Sequence, residues 1–339
     1  MTINLSVVVT SINSPTQALV EIAKISNTNK NIDFVLIGDS KSPIDFALDG
    51  CNFYSIEQQK TLELKYARAC PLKHYARKNI GYLIAISKQS SRIVETDDDN
   101  IPQESFWSDR QSIVRSAINK HGGWVNVYNY FSDRQIWPRG LPLDKIHTPV
   151  IEKEKLPITE CYCPIQQGLA NVNPDVDAVY RLILPLPVEF NHNQNIALGE
   201  GSWCPFNSQN TTWFPDAYPL MYLPFYCSFR MTDIWRSFIA QRIAWLNGWC
   251  ILFHEPTVYQ ERNEHNLLKD FEDEIPGYLN NNKICDELSK LSLKSGVANI
   301  PENLKICYES LIKMNLIGLE ELSLLDCWIE DIKNIGIAK

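Results

Sequence analysis

An α/β fold built on a parallel sheet is predicted from three observations. Short apolar or β-branched runs alternate with helical patterns through the first third of the chain, the order of a β-α-β-α-β unit. Two of those runs end in carboxylates, Asp39 and the Asp97-Asp98-Asp99 triplet, at the strand ends where such sheets bind ligands. The 339 residues, 45% hydrophobic and 21% charged, supply a sizeable core.

Leu5 to Thr10 is a β-branched run and reads as a buried strand. Pro15 opens a helical pattern through Ile25, with Ser14 as its N-cap. Asp33 to Ile37 is a second strand, ended by Gly38-Asp39. Ser55, with Gln58 three residues on, spells a capping box for a helix to Tyr66. His74 to Ser87 reads as a further helix and Arg92 to Glu95 as a third strand. From Trp124 to Arg230 the chain is rich in Pro, Asn and aromatics, which predicts irregular strands and long loops. Thr232 caps a helix whose Trp235, Ile239, Ile243 and Leu246 face one side. Cys250 to Phe253 is a short strand, and from Ile284 onward the spacing predicts helices with a break near Pro301. There is no internal repeat.

Lys plus Arg is 32 and Asp plus Glu is 40, a formal charge of −8. Such a balance excludes general nucleic-acid binding, and no polybasic cluster offers a membrane anchor. The ten cysteines are scattered without zinc-site spacing, which predicts reduced, mostly buried thiols in a cytoplasmic protein. Met1 to Thr10 lacks a basic leader and a cleavage site, so no signal peptide is expected. No stretch approaches the roughly 20 apolar residues of a membrane span. The expected location is cytoplasmic, with peripheral contact to a membrane left open.

Six segments carry candidate chemistry. In Glu95-Thr96-Asp97-Asp98-Asp99-Asn100, three adjacent carboxylates repel one another and need water or a cation. At the end of an apolar strand they suit a hard divalent ion shared with substrate phosphates, against the alternative of a solvated turn. Arg77, in Arg77-Lys78-Asn79-Ile80-Gly81, is either a phosphate fork or, with Lys78, a surface cation. Gly81 is costly in a helix unless close approach is needed. Arg139 lies in an apolar, turn-rich run and reads as an anion clamp or as an ion-pair partner. Asp175 and Asp177, after Asn173-Pro174, are turn residues or sugar ligands. Asp233 sits in a first helical turn, where it stabilises the dipole or serves as a catalytic or sugar-binding carboxylate. His265, in Arg262-Asn263-Glu264-His265-Asn266, is a structural histidine or a late metal or phosphate ligand.

Taken in order, these segments resemble the STELLO-like glycosyltransferases. More distantly, they are similar to the reversibly glycosylated polypeptides, which include UDP-arabinopyranose mutases. The resemblance runs over residues 5 to 275. It is carried by Val8 to Asn13, Gly38 to Pro43, Arg77 to Tyr82, Glu95 to Asn100 and Trp137 to Gly140. Gln166 to Ala170, Asp175 to Ala178, Pro205 to Thr211 and Arg262 to Asn266 continue it.

The resemblance implies a GT-A fold, a Rossmann-like nucleotide-sugar-binding sheet fused to an acceptor region. Residues 1–283 would form it, with a nucleotide-binding half at 1–123, an acceptor half at 124–283, and a helical extension at 284–339. It implies a nucleotide-sugar donor, expected to be a UDP-sugar, held through Mn²⁺ or Mg²⁺, and a glycan or glycolipid acceptor. Asp97, Asp99 and His265 would hold the metal. Thr10, Asp39, Lys41, Arg77, Asp97, Asp98, Asp175, Asp177, Asn207 and Arg262 would bind substrate. Asp233 would act as general base in an inverting reaction or position the sugar in a retaining one, with Arg139 beside it in the catalytic set.

Two alternatives accompany this reading. Arg139-Gly140-Leu141-Pro142 keeps the pattern in which the mutase-like relatives carry their glycosylated arginine, so a UDP-sugar mutase or self-glycosylating protein is one. Gln166-Gln167-Gly168-Leu169 and Asn100 depart from those relatives. A catalytically quiet assembly factor for polysaccharide synthesis is the other. A homo-oligomer is compatible with the C-terminal helices.

Overall fold

The computed structural model describes residues 3–261 and 266–336. Its first half follows the expected alternation. Strand β1 (Leu5–Thr10), helix α1 (Gln17–Thr28), β2 (Ile32–Ile37) and β3 (Asn52–Tyr54) come first, then α2 (Ile56–Thr61), α3 (Lys65–Ala69), α4 (Lys78–Ser87) and β4 (Ile93–Thr96). β1 pairs in parallel with β2 and β4, and β2 pairs in parallel with β3. Gly81 explains how α4 lies so close to this layer. A Cβ there would sit 2.5 Å from Val8 Cγ1 and 3.0 Å from Ile37 Cγ1, so only glycine lets the helix touch β1 and β2.

The middle of the chain holds more regular structure than its composition suggests. It supplies β5 (Asn100–Pro102), β6 (Ile113–Asn119), β7 (Gly123–Trp124), β8 (Ile158–Tyr162) and β9 (Ile165–Asn171). Helix α5 (Ala178–Ile183), β10 (Asn195–Leu198), β11 (Ser202–Trp203) and β12 (Asn210–Trp213) follow. Helix α6 (Thr232–Leu246) and β13 (Ile251–Gln260) complete this part, the strand running well past its predicted end at Phe253. The strands line up as β3-β2-β1-β4-β12-β9-β13-β10-β6-β8, with β5 paired to β13 and β7 with β11 set apart. This is the expected α/β arrangement, a parallel layer continued by a mixed one. β12 is antiparallel to both β4 and β9, and β9 is parallel to β13. So β4, β9 and β13 all run the same way. Their carboxyl ends, at Thr96, Asn171 and Gln260, therefore gather on one edge of the sheet.

Local signals were partly displaced. The Ser55–Gln58 capping box is present, but its helix stops at Thr61 and α3 starts separately. Thr16, not Ser14, caps α1 by accepting from the Leu19 amide at 3.3 Å. The segment from His74 begins with a 3₁₀ turn over Tyr75–Arg77 before α4. Met231 occupies the N-cap of α6, and Thr232 is its first residue.

The C-terminal part is no appendage. Helix α7 (Leu267–Lys290) begins well before Ile284, so a boundary at 283/284 falls inside it. Its first turns are mostly charged and Pro276 lies within them, which hides the helical period. Helices α8 (Ile300–Lys313) and α9 (Glu321–Ile335) share one core with the sheet. The ring of Tyr222 packs against Tyr66, Tyr308 and Trp328. Glu321, fully buried at the start of α9, accepts from the amides of Phe225 at 2.9 Å and Tyr226 at 2.6 Å. Asp331 of α9 caps α3 from 265 residues away, accepting from the Lys65 amide at 2.9 Å and the Tyr66 amide at 2.8 Å. All ten cysteines are free thiols, none more than half-exposed.

Replacing Asp331 with alanine should cost about 1 kcal/mol of stability, the usual loss for a helix cap, read as a lower urea midpoint. An unchanged midpoint would show that α9 is a passive extension.

Candidate active site

Two adjoining cavities open at the carboxyl ends of the strands. The first, about 400 Å³, lies over the ends of β1 and β2. Asp39 sits at its rim just after β2. Its carboxylate accepts from the Lys73 amide at 2.6 Å, the His74 amide at 3.1 Å and the Ser40 amide at 2.6 Å. Asp39 thus pins the 71–77 loop that forms the cavity wall. Arg77 is buried rather than a surface cation. It donates to the carbonyls of Cys70 at 2.9 Å and Pro71 at 3.1 Å and to the Gln59 side chain. Its Nε is buried without a partner beside this cavity. Thr10 and Lys41 also line the space, Lys41 as an exposed side chain. His74 accepts from the Ala76 amide through Nδ1, at 2.9 Å, and burial lowers its pKa to about 4, so it stands as a neutral ring.

The second cavity, about 280 Å³, is lined by the acidic run, Asp175, Arg139 and Asp233. The three adjacent carboxylates turn three different ways, which relieves their repulsion. Asp97 takes the ammonium of Lys78 at 2.7 Å. Asp98 accepts from Ser11 and, at 3.0 Å, from Asn13. Asp99 accepts from Gln260 Nε2 at 3.1 and 3.0 Å, which ties the end of β13 to the turn after β4. Asp97 leaves 39% of its side chain open to the cleft, yet the protein around it dominates its titration. Desolvation pushes its pKa up to about 6, Lys78 opposes the shift, and Asp99 and Asp233 add to it.

Arg139 lies between two carboxylates. Its Nε and Nη2 reach the two oxygens of Asp175, each at 2.8 Å. Its Nη1 and Nη2 reach Asp233 at 3.1 and 3.0 Å, and Nη1 also donates to the Arg230 carbonyl. All five guanidinium N–H groups are therefore committed. Asp233 further accepts from the Ser208 amide at 3.0 Å and from the Tyr75 hydroxyl at 3.3 Å. Burial alone would raise its pKa, but Arg139 holds it well below the usual carboxylate range. A carboxylate so held is a poor proton acceptor, which weighs against the general-base role and for a positioning one.

Two expected substrate ligands face elsewhere. Asp177 is fully buried as the N-cap of α5, accepting from the Tyr180 amide and from Trp137 Nε1, each at 2.7 Å. Turn chemistry, one of its two sequence readings, is its role. Asn207 is buried, with its amide on Gln167 at 2.8 Å and its side-chain oxygen accepting from the Gln209 amide at 3.0 Å. It shapes the loop, while Ser208 and Gln209 meet the cavity. Arg262 and His265 lie outside the described residues.

Lys78, Tyr75 and Gln260 belong to the site and were not singled out. For Lys78 a signal existed. Every residue of α4 from Lys78 to Ile86 is buried, and a helix apolar nearly all round forces its one cation to find a carboxylate. For Gln260 there was none, because its contact depends on strand order.

Among the described residues, no three ligating side chains converge into a metal cage. The donor set suits a hard cation held by one or two carboxylates, Asp99 and Asp97, with phosphate oxygens completing the shell.

Replacing Arg139 with methionine should destabilise the protein by about 3–5 kcal/mol, since Asp175 and Asp233 would be left buried and uncompensated. Guanidinium denaturation would read the loss. Asp177 gives a pH test. Burial, with Glu274 and Asp175 nearby, raises its pKa to about 7. The folded state then keeps a proton that the unfolded chain releases, so stability should fall as pH rises from about 4 to 7. Asp177→Asn should flatten that part of the Tm–pH profile.

Residues 230–338 match the family model of STELLO glycosyltransferases, a span that includes the C-terminal helices left outside the sequence resemblance. Over 273 residues the chain is 30% identical to probable glycosyltransferase STELLO2 and 29% identical to probable glycosyltransferase STELLO1, both of Arabidopsis thaliana. Each alignment covers 75% of this chain and 35% of the relative, so the chain spans about a third of the length of these relatives. Among solved structures, a mannosyltransferase from Pyrobaculum calidifontis, in complex with GDP-Man and Mn²⁺, is 9% identical at a TM-score of 0.38, covering 99% of this chain and 85% of that one. Glucosyl-3-phosphoglycerate synthase of M. tuberculosis is 11% identical at a TM-score of 0.38, covering 82% of this chain and 80% of that one. On its sequence matches, the chain is similar to the STELLO glycosyltransferases.

Proposed function

We propose that this chain transfers a sugar from a nucleotide diphosphate sugar, a UDP-sugar, to a glycan or glycolipid acceptor in a metal-dependent reaction. One observation carries the reading. A nucleoside-sized cavity at the ends of β1 and β2 opens directly onto the cavity that holds Asp97, Asp98, Asp99 and Asp233. A nucleotide diphosphate sugar needs those two compartments in that order: an enclosed one for its nucleoside and a carboxylate-lined one for its diphosphate and sugar.

In this reading Asp99 and Asp97 would hold Mn²⁺ or Mg²⁺, which would supply charge neutralisation for the departing diphosphate. Lys78 keeps the Asp97 carboxylate oriented. Thr10 and Asp98 lie where the two cavities meet, and Arg77 and Lys41 line the nucleoside side. Asp233, whose ionised form Arg139 favours and which Arg139 and Ser208 fix in place, orients a sugar hydroxyl. Asp175 and Arg139 hold that carboxylate in place. The self-glycosylating alternative gains no support from the geometry, since every N–H of Arg139 is already bonded within the protein.

The test is incubation with Mn²⁺ and a panel of UDP, GDP, CDP and CMP sugars. Slow nucleotide release from one UDP-sugar is expected, lost at least tenfold in Asp99→Asn, with no change in intact protein mass. A sugar adduct that disappears in Arg139→Lys would favour the mutase-like alternative. Absence of any nucleotide binding would overturn both and favour an assembly role.

A further inference from the structure

Four residues line both cavities: Thr10, Tyr75, Asp98 and Phe229. Phe229 differs from the others. It is a large hydrophobic residue left 48% exposed at the junction of the two compartments. A single exposed phenylalanine is ordinary on a surface, but this one is held in place. Its ring packs edge-on to His74 and Tyr75, with centroids 4.9 Å away in each case. Its carbonyl accepts from the Tyr75 hydroxyl at 3.3 Å. The next carbonyl, of Arg230, accepts from Arg139, and the preceding Ser228 hydroxyl donates to the Asp273 carbonyl. The backbone is thus tied on both sides, while the side chain stays half-exposed and lines both cavities.

We propose that Phe229 is the stacking platform for the sugar ring of the donor. The inference rests on the nucleotide-sugar reading above and adds a residue that selects for the glycosyl group. A donor with its nucleoside over β1 and β2 and its sugar folded back beside Asp233 and Asp175 spans the junction that Phe229 lines. A pyranose offers one face of C–H bonds and a rim of hydroxyls. The C–H face suits the negative face of an aromatic ring, and the hydroxyls suit the flanking Asp233 and Asp175. Because the ring is fixed before the donor arrives, little ordering entropy is lost on stacking. The same contact would hold the anomeric carbon beside the carboxylate wall instead of letting the sugar swing into solvent.

Calorimetric titration with UDP and with UDP-glucose, both with Mn²⁺, separates the platform from a simple wall. The comparison uses the wild-type chain, Phe229→Ala and Phe229→Trp, with thermal melts to check folding. Phe229→Ala is expected to weaken UDP-glucose binding about five- to tenfold and UDP binding less than about twofold. Phe229→Trp should restore the difference. Equal losses for both ligands would make Phe229 part of the nucleoside wall and overturn the proposal. So would unchanged binding in Phe229→Ala, or a wild type for which glucose adds no affinity to UDP. If the wild type binds neither ligand, the nucleotide-sugar reading itself fails, an outcome distinct from the others.

Discussion

The cleft is organised around one guanidinium. Arg139, from the turn after Trp137-Pro138, bridges Asp175, beyond β9, and Asp233, at the start of α6. Burying either carboxylate ionised and unpaired would be costly. With Arg139 between them the trio carries a single net negative charge, and each partner is hydrogen-bonded at both ends. The turn is built to place that side chain. Gly140 adopts φ of +90°, and a Cβ there would come within 2.5 Å of Ile234 Cγ2 on the helix that carries Asp233. Glycine therefore lets the Arg139 turn dock directly on α6.

The same charge logic repeats below the cleft. Glu95 and Arg236 form a fully buried pair at 2.8 Å, with Trp213 Nε1 also donating to Glu95 at 2.8 Å. The Arg236 guanidinium lies over the rings of Phe206 and Trp213, 5.8 and 5.1 Å from their centroids. Such pairs add little net stability over a well-packed apolar core, but removing one partner is costly. Here the pair couples β4, whose end carries the acidic run, to α6, whose start carries Asp233. Lys78 adds a third link by joining α4 to Asp97. The acidic cleft is thus held by cations that each come from a different element.

The C-terminal helices serve this arrangement from behind. Glu321 fixes the backbone at Phe225 and Tyr226, a few residues before Phe229 and Arg230. Arg230 is paired at 2.8 Å with Glu274 of α7, which is buried and also accepts from the Ala178 amide at 2.7 Å. The loop that separates the two cavities is therefore bounded by α7 on one side and α9 on the other. No helix among the described residues is long and apolar enough to cross a membrane.

The sequence by itself determined the elements whose signal is local. The β-branched run Leu5–Thr10, the capping box at Ser55 and the alternation through Thr96 all follow from residue type and spacing, and so does the placement of Asp39 and Asp97–Asp99 at strand ends. The need for close approach at Gly81 was legible for the same reason, since glycine in a helix is costly unless space demands it. Only the tertiary structure decided what each polar residue does. Asp175 and Asp177 stand two residues apart, yet one reaches Arg139 and the other caps a helix beneath Trp137. Arg77, read as a phosphate fork or a surface cation, and Lys78, read as a surface cation, are both buried, because α4 is covered on every side. Gln260 meets Asp99 across 161 residues only because β13 runs parallel to β9 and in the same direction as β4. Spacing along a chain reports which face of an element a residue occupies. It carries no record of which distant element will cover that face, and in this cleft the partners come from such distant elements.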